Sequence, residues 1–306
     1  MRSATGNAQH SARSVPAGIG LMLLAILMFS LNDVLGKWLV ATYSVGQILL
    51  IRSIAALIVL CPFLWREGLA PFRSAPQPAL QLLRVVLATL EVACFYIAVW
   101  YLPLADAMTF YLAAPIYVTA MSAMLLRERV GIRRWTAVLV GFAGVLIALQ
   151  PSTASLGPGS LVAIIGSVFF AVLMIVTRHL RGTSNIVLAG SQAAGALIFG
   201  CVAAPWNWVP VAGFDFLLMQ LLGVVAITAI VFVNQSLRLA PASVVVPYQY
   251  TLIVWAVIFG YLFFGDVPQA HVVAGAAIIV ASGLFIFVRE QRLKPPEDQT
   301  PPLTER

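Results

Sequence analysis

Apolar residues run along this chain in unbroken blocks rather than in alternation. From Ala17 to Val288 the blocks recur with short polar links between them, each about 18–24 residues long. Lipid gives a backbone no hydrogen-bond partner, so a crossing segment must close its own bonds as a helix or within a barrel. Continuous blocks, lacking a period of two, select the helix. Ten spans are predicted, over about 17–40, 44–64, 80–101, 103–126, 132–149, 158–177, 184–204, 214–236, 241–264 and 268–288. The chain therefore reads as an all-α integral membrane protein with ten transmembrane helices. Residues 1–16 and 289–306 are polar or proline-rich and are expected to be disordered tails.

Composition agrees: 61% of residues are hydrophobic and 9% charged, against about 25% charged in soluble proteins. The first block is longer than a signal-peptide core and ends in charge without a small-residue cleavage site, so it reads as a span. Cys61, Cys94 and Cys201 are scattered through apolar blocks, which supports neither a disulfide framework nor a zinc site. Of the eighteen Lys and Arg residues, fifteen fall in the two tails and the even-numbered links, and none in the odd-numbered links. The other three, Lys37, Arg52 and Arg84, lie inside spans. Such a split places both termini in the cytoplasm. It also accounts for the net charge of +7 without a nucleic-acid partner.

The two halves of the chain resemble each other. FSLNDVLGKWL (29–39) aligns with FAVLMIVTRHL (170–180), which sets Lys37 opposite Arg178. At nearly the same offset Arg52 falls opposite Gln192, and Cys61 opposite Cys201. LADA (104–107) matches LAPA (239–242), and Glu128 and Asp266 each close a span. Five spans is an odd number, so the second copy, 158–288, enters the membrane inverted relative to the first, 17–149. Inverted repeats are an architecture of secondary transporters, with the site between the repeats.

Several stretches carry a family likeness: NDVLGKWL in span 1, QILLIRS in span 2, LPLADAMTFYLAAP in span 4, LLRERVGIRRW after it, and VVVPYQYTLIVWAVIFGYLFFGDVP in span 9. Through them the chain, from about Ala17 to Val288, resembles the EamA-type ten-helix transporters of the drug/metabolite transporter superfamily. The resemblance implies an inner-membrane protein of two inverted five-helix repeats that works by alternating access. Members move amino acids, nucleosides, S-adenosylmethionine, riboflavin or drugs, inward or outward.

Ionisable groups within spans are costly and usually face a cavity or one another. Asp33, Lys37, Arg52, Arg84 and Glu91 all lie in the first repeat, opposite Met174, Arg178, Gln192, Met219 and Ala226. A purely architectural role gives no reason for that one-sidedness. Glu91, near mid-membrane, suits a coupling proton or a substrate cation; its alternative is a bond to a neighbouring helix. Arg52 suits an anion or carbonyl clamp, or a buried pair with Asp33 or Glu91. Arg84, one turn inside its span, reads as a snorkelling residue. Lys37 reads as a helix-end anchor offset by Asp33, which leaves Asn32 and Asp33 as the functional part of that stretch. Around Pro115 and Pro247, Tyr111, Tyr248, Gln249 and Tyr250 suit a cavity that stacks and hydrogen-bonds a planar ligand, or else plain aromatic packing. The substrate-binding set is thus Asn32, Asp33, Arg52, Glu91, Tyr111, Tyr248, Gln249 and Tyr250.

The leading function is a secondary transporter of a small organic metabolite. An integral-membrane enzyme is the rival class, but His10, His179 and His271 are dispersed and no paired-acid motif exists. A scaffold is the third, and it would tolerate neutral replacement of Asp33, Arg52 and Glu91. No cofactor or metal is expected. The expected partners are the cargo and the lipid bilayer, with a proton or other coupling ion and a homodimer both compatible. Three positive against two negative membrane charges lean the cargo toward an aromatic, neutral-to-anionic molecule such as riboflavin, taken up rather than expelled. S-adenosylmethionine, an amino acid or a drug are the alternatives.

Overall fold

In the computed structural model the described residues are 3–292, apart from 41, 69, 74, 103, 129, 151–156 and 265–268. Asp266 and the expected tail beyond Arg292 lie outside them, as do the side chains of residues 3–14, Lys37 and Trp100. The first half comprises α1 (Ser3–Val40), α2 (Val45–Glu67), α3 (Ala70–Arg73), α4 (Pro78–Tyr101), α5 (Leu104–Tyr111), α6 (Ala114–Leu125) and α7 (Ile132–Leu149). The second comprises α8 (Pro158–His179), α9 (Asn185–Ala203), α10 (Gly213–Leu239), α11 (Ala242–Val245), α12 (Leu252–Phe264) and α13 (Ala270–Arg292). A 3-10 turn, Ala204–Asn207, follows α9, and a 3-10 segment, Val246–Thr251, joins α11 to α12. Because α1 starts at Ser3, ahead of the apolar block, it takes in most of the stretch expected as an N-terminal tail.

Among the described residues, nine helical stretches are long and apolar enough to cross a membrane, and α13 carries a shorter apolar run, Ala270–Ile286. Their ends follow ordinary rules. Ser44 and Ser184 cap α2 and α9 by accepting from Gln47 N and Ile186 N. Pro78 and Pro158 open α4 and α8, where a missing N–H costs nothing. Spans 4 and 9 are each interrupted at a proline. Pro115 stands in the first turn of α6, just after the break from α5, and Pro247 lies in the 3-10 segment, because proline removes a helical hydrogen bond and crowds the turn before it.

Helix pairing follows the repeat. α1 packs on α10 and α4 on α8, two contacts that exchange when the halves are swapped; α2 pairs with α9 and α7 with α13, each its own counterpart. Ten helices in two related sets of five are thus the observed architecture. Where helices cross closely a small residue sits between them: a Cβ on Gly144 would press on Gly275 O of α13 at 2.9 Å. The main core, including Met22, Leu87, Val118, Leu188, Leu237 and Val245, fills the half of the bundle nearer the Arg-rich links. The other half holds a cavity and smaller clusters, among them Leu39, Tyr43, Ile48, Met219 and Leu222.

Candidate functional site

The cavity, about 190 Å³, lies between the repeats, from mid-depth toward the face opposite the Arg-rich links. Each helix contributes at helical spacing. α1 supplies Ile26, Phe29, Asn32 and Asp33; α4 supplies Glu91, Val92, Phe95 and Tyr96; α5 supplies Met108 and Tyr111. These are one-face sets of the i, i+3, i+4, i+7 kind. Arg52 of α2, Phe170 of α8, Ala226 of α10 and Gln249 complete the lining with Leu112 and Leu252.

Six of the eight residues expected to bind substrate therefore meet at one place: Asn32, Asp33, Arg52, Glu91, Tyr111 and Gln249. Tyr248 and Tyr250 do not join them. The hydroxyl of Tyr248 donates to Gly283 O at 3.2 Å, and that of Tyr250 to Val138 O at 3.3 Å. Both are buried against α7 and α13, and Gly141 leaves the space that the Tyr250 ring fills. The cause is local backbone geometry. A 3-10 segment turns about 120° per residue, so positions three apart share a face. Gln249 and Leu252 point together into the cavity and the two tyrosines point away.

Within the cavity the side chain of Asn32 adjoins that of Asp33, and Arg52 faces the hydroxyl of Tyr96. Among the described residues the ion pair closing within 4 Å is Arg178–Glu128, so Arg52 lines the cavity with both carboxylates but closes onto neither. The Oδ1 atom of Asn32 is buried with no hydrogen-bond partner. Rings surround these polar groups. Tyr111 donates to Glu91 O at 3.0 Å, tying α5 to α4, and meets Phe95 edge to face at 5.1 Å. Gly166 of α8 is needed here, since a Cβ would collide with the Tyr111 hydroxyl. Sequence reasoning overlooked Tyr96 and Phe95, although they follow Glu91 by one turn on the same face.

Arg84 corrects the expectation of a snorkelling residue. It is 2% exposed and points inward, where its guanidinium is held by Thr177, Leu188 O, Gln192 and Asn234. The acceptors of three helices compete better for it than the interface does. A second, smaller cavity of about 30 Å³ sits on the repeat axis where α2 crosses α9. Its lining pairs Arg52, Ser53 and Ala56 with Gln192, Ala193 and Ala196, as the sequence alignment sets them.

A ten-helix inverted repeat around a central cavity that mixes charge with aromatic rings defines a membrane transporter of small molecules. The chain belongs to the EamA-like transporter family, which matches residues 16–150 and again 157–288. It is 26% identical over 277 residues to the S-adenosylmethionine uptake transporter of Rickettsia felis, covering 90% of this chain and 94% of that one. It is 30% identical over 299 residues to the riboflavin transporter of Rhizobium johnstonii, covering 94% and 96%. The pseudopaline exporter CntI of Pseudomonas aeruginosa is 29% identical over 274 residues, covering 87% and 94%. A solved crystal structure superposes on 92% of this chain and 99% of its own with a TM-score of 0.80, at 18% identity, which shows the fold alone.

Proposed function

We propose that this transporter takes up, by alternating access across the inner membrane, a metabolite joining a planar ring to a positively charged centre. Asn32, Asp33, Arg52, Glu91, Tyr111 and Gln249 form its binding surface, and both termini face the cytoplasm. One observation carries the reading: the cavity lining holds two carboxylates against one guanidinium. The lean toward a neutral or anionic cargo counted Lys37 and Arg84. Arg84 has its donors occupied elsewhere, and the Lys37 side chain lies outside the described residues. What is left is an excess of carboxyl groups over guanidinium, a lining that suits a cation, because a carboxylate in a low-dielectric cavity is stabilised by an opposite charge.

S-adenosylmethionine fits this description. Its ring can stack among Phe95, Tyr96 and Tyr111, its carboxylate can meet the fork of Arg52, and its positive groups can meet Asp33 and Glu91. A second reading, riboflavin, is supported by the 30% identity to a riboflavin transporter and by the partnerless Asn32 Oδ1, which can accept from a ring N–H. Purified protein in vesicles, given labelled S-adenosylmethionine or labelled riboflavin and tested for uptake and counterflow, decides between them. Saturable S-adenosylmethionine exchange with no flavin movement supports the first reading. The reverse result replaces it with the second, and movement of neither sinks both.

A further inference from the structure

Arg84 on α4 and Met219 on α10 occupy equivalent places in the two repeats, and both are fully buried. Their surroundings are opposite in character. The Arg84 guanidinium donates from Nε to Thr177 Oγ1 at 2.9 Å and from Nη1 to Leu188 O at 2.8 Å. Its Nη2 donates to Gln192 Oε1 at 3.0 Å and to Asn234 Oδ1 at 2.9 Å. These acceptors belong to α8, α9 and α10, so one residue of the first repeat ties together three helices of the second. All four are neutral. Gln81, one turn earlier on α4, adds a bond from Nε2 to Thr183 Oγ1 at 3.0 Å. Met219 packs instead with Leu39, Ile48, Ile51 and Leu222. Ile48 is the repeat equivalent of Leu188, so the two sites correspond in position while one is polar and the other greasy.

Inverted repeats exchange conformations as access alternates, so the end that is closed in one state opens in the other. Here the main core fills the Arg-rich end, and Arg84 stands seven residues from Glu91, roughly 10 Å nearer that end. Apolar contacts like those of Met219 are non-directional and can slide. A guanidinium is a rigid fork of donors, and its acceptors cannot part without breaking hydrogen bonds and exposing buried polar groups. We infer that Arg84 is the positioning residue that biases the empty transporter toward the state closed at its Arg-rich end, with Met219 supplying no equivalent hold at the other. This role rests on the alternating-access function proposed for the protein.

Hydrogen exchange of the full-length protein in lipid nanodiscs, without cargo, tests it. In Arg84→Met, exchange is expected to quicken about tenfold or more at the Arg-rich ends of α4, α8 and α10. It should slow in the same sample at the opposite end, along the cavity-lining stretches of α1 and α5, as that end closes. Arg84→Lys keeps the charge but not the fork and should show both changes at smaller amplitude. Asn234→Leu removes a single acceptor and should do likewise, which covers the case in which Arg84→Met does not fold. Faster exchange at both ends, the mark of plain destabilisation, or no change at either end overturns the proposal. Alternation itself is read separately, by counterflow in the unsubstituted protein. If that protein exchanges cargo while the variants show no reciprocal change, the role of Arg84 fails alone.

Discussion

Phe29 of α1 and Phe170 of α8 are repeat equivalents and line the same cavity, as do Glu91 of α4 and Ala226 of α10. The phenylalanines match across the axis; the glutamate has only a methyl group for a counterpart. Asp33 likewise corresponds to Met174, which is buried in the main core. The shared positions belong to the fold, which both repeats must build alike. On the proposed function the unshared ones belong to what the cavity holds, because a cargo without twofold symmetry needs its charges met on one side only. The same comparison separates Arg84 from the cavity charges: it too is unshared, but its partners are protein atoms.

Removing the cavity's one guanidinium should do the most damage. Arg52→Met leaves Asp33 and Glu91 facing one cavity with no cation, and uptake should fall about 100-fold or more, read as initial rates in vesicles. Uptake that stays at the unsubstituted rate would break the claim that the unshared charges serve the cargo. Tyr111→Phe keeps the ring and loses the bond to Glu91 O, so cargo affinity should weaken by about fivefold in equilibrium binding. Tyr250→Phe should leave affinity unchanged and lower the midpoint of thermal unfolding by about 2–4 °C, since its hydroxyl serves α7 alone.

The smallest effect concerns pH at the far end of the bundle. Tyr43 donates to Asp215 at 2.6 Å, and that bond holds the phenol above its ordinary value of 10.0. A raised value means that the neutral form is favoured in the folded protein. The contribution is thus complete below pH 10 and is lost as pH rises through the raised value. Asp215→Asn should abolish that alkaline step in a stability-versus-pH profile and lower stability slightly and evenly at every pH below it.

Much of this was legible in the sequence, for identifiable reasons. Block hydrophobicity and the one-sided arginines mark the spans, since lipid imposes a single secondary structure and a single charge bias. The cavity residues on α1, α2 and α4 were legible because charge inside a span needs a reason. Tyr248 and Tyr250 were misplaced because nothing in VVVPYQYT distinguishes a 3-10 turn from an α-helical one, and the difference rotates every following side chain. Arg84 was misjudged because its acceptors come from three helices about 100–150 positions downstream. Snorkelling can be read from one helix; a clasp cannot.

Binding of S-adenosylmethionine against S-adenosylhomocysteine, which lacks one methyl group and the positive charge on sulfur, measures the central claim most directly. In the unsubstituted protein the charged ligand should bind about tenfold or more tightly, and in Glu91→Gln that preference should fall to about twofold or less. An undiminished preference in Glu91→Gln, or none in the unsubstituted protein, would contradict a cavity whose charged wall recognises a cation.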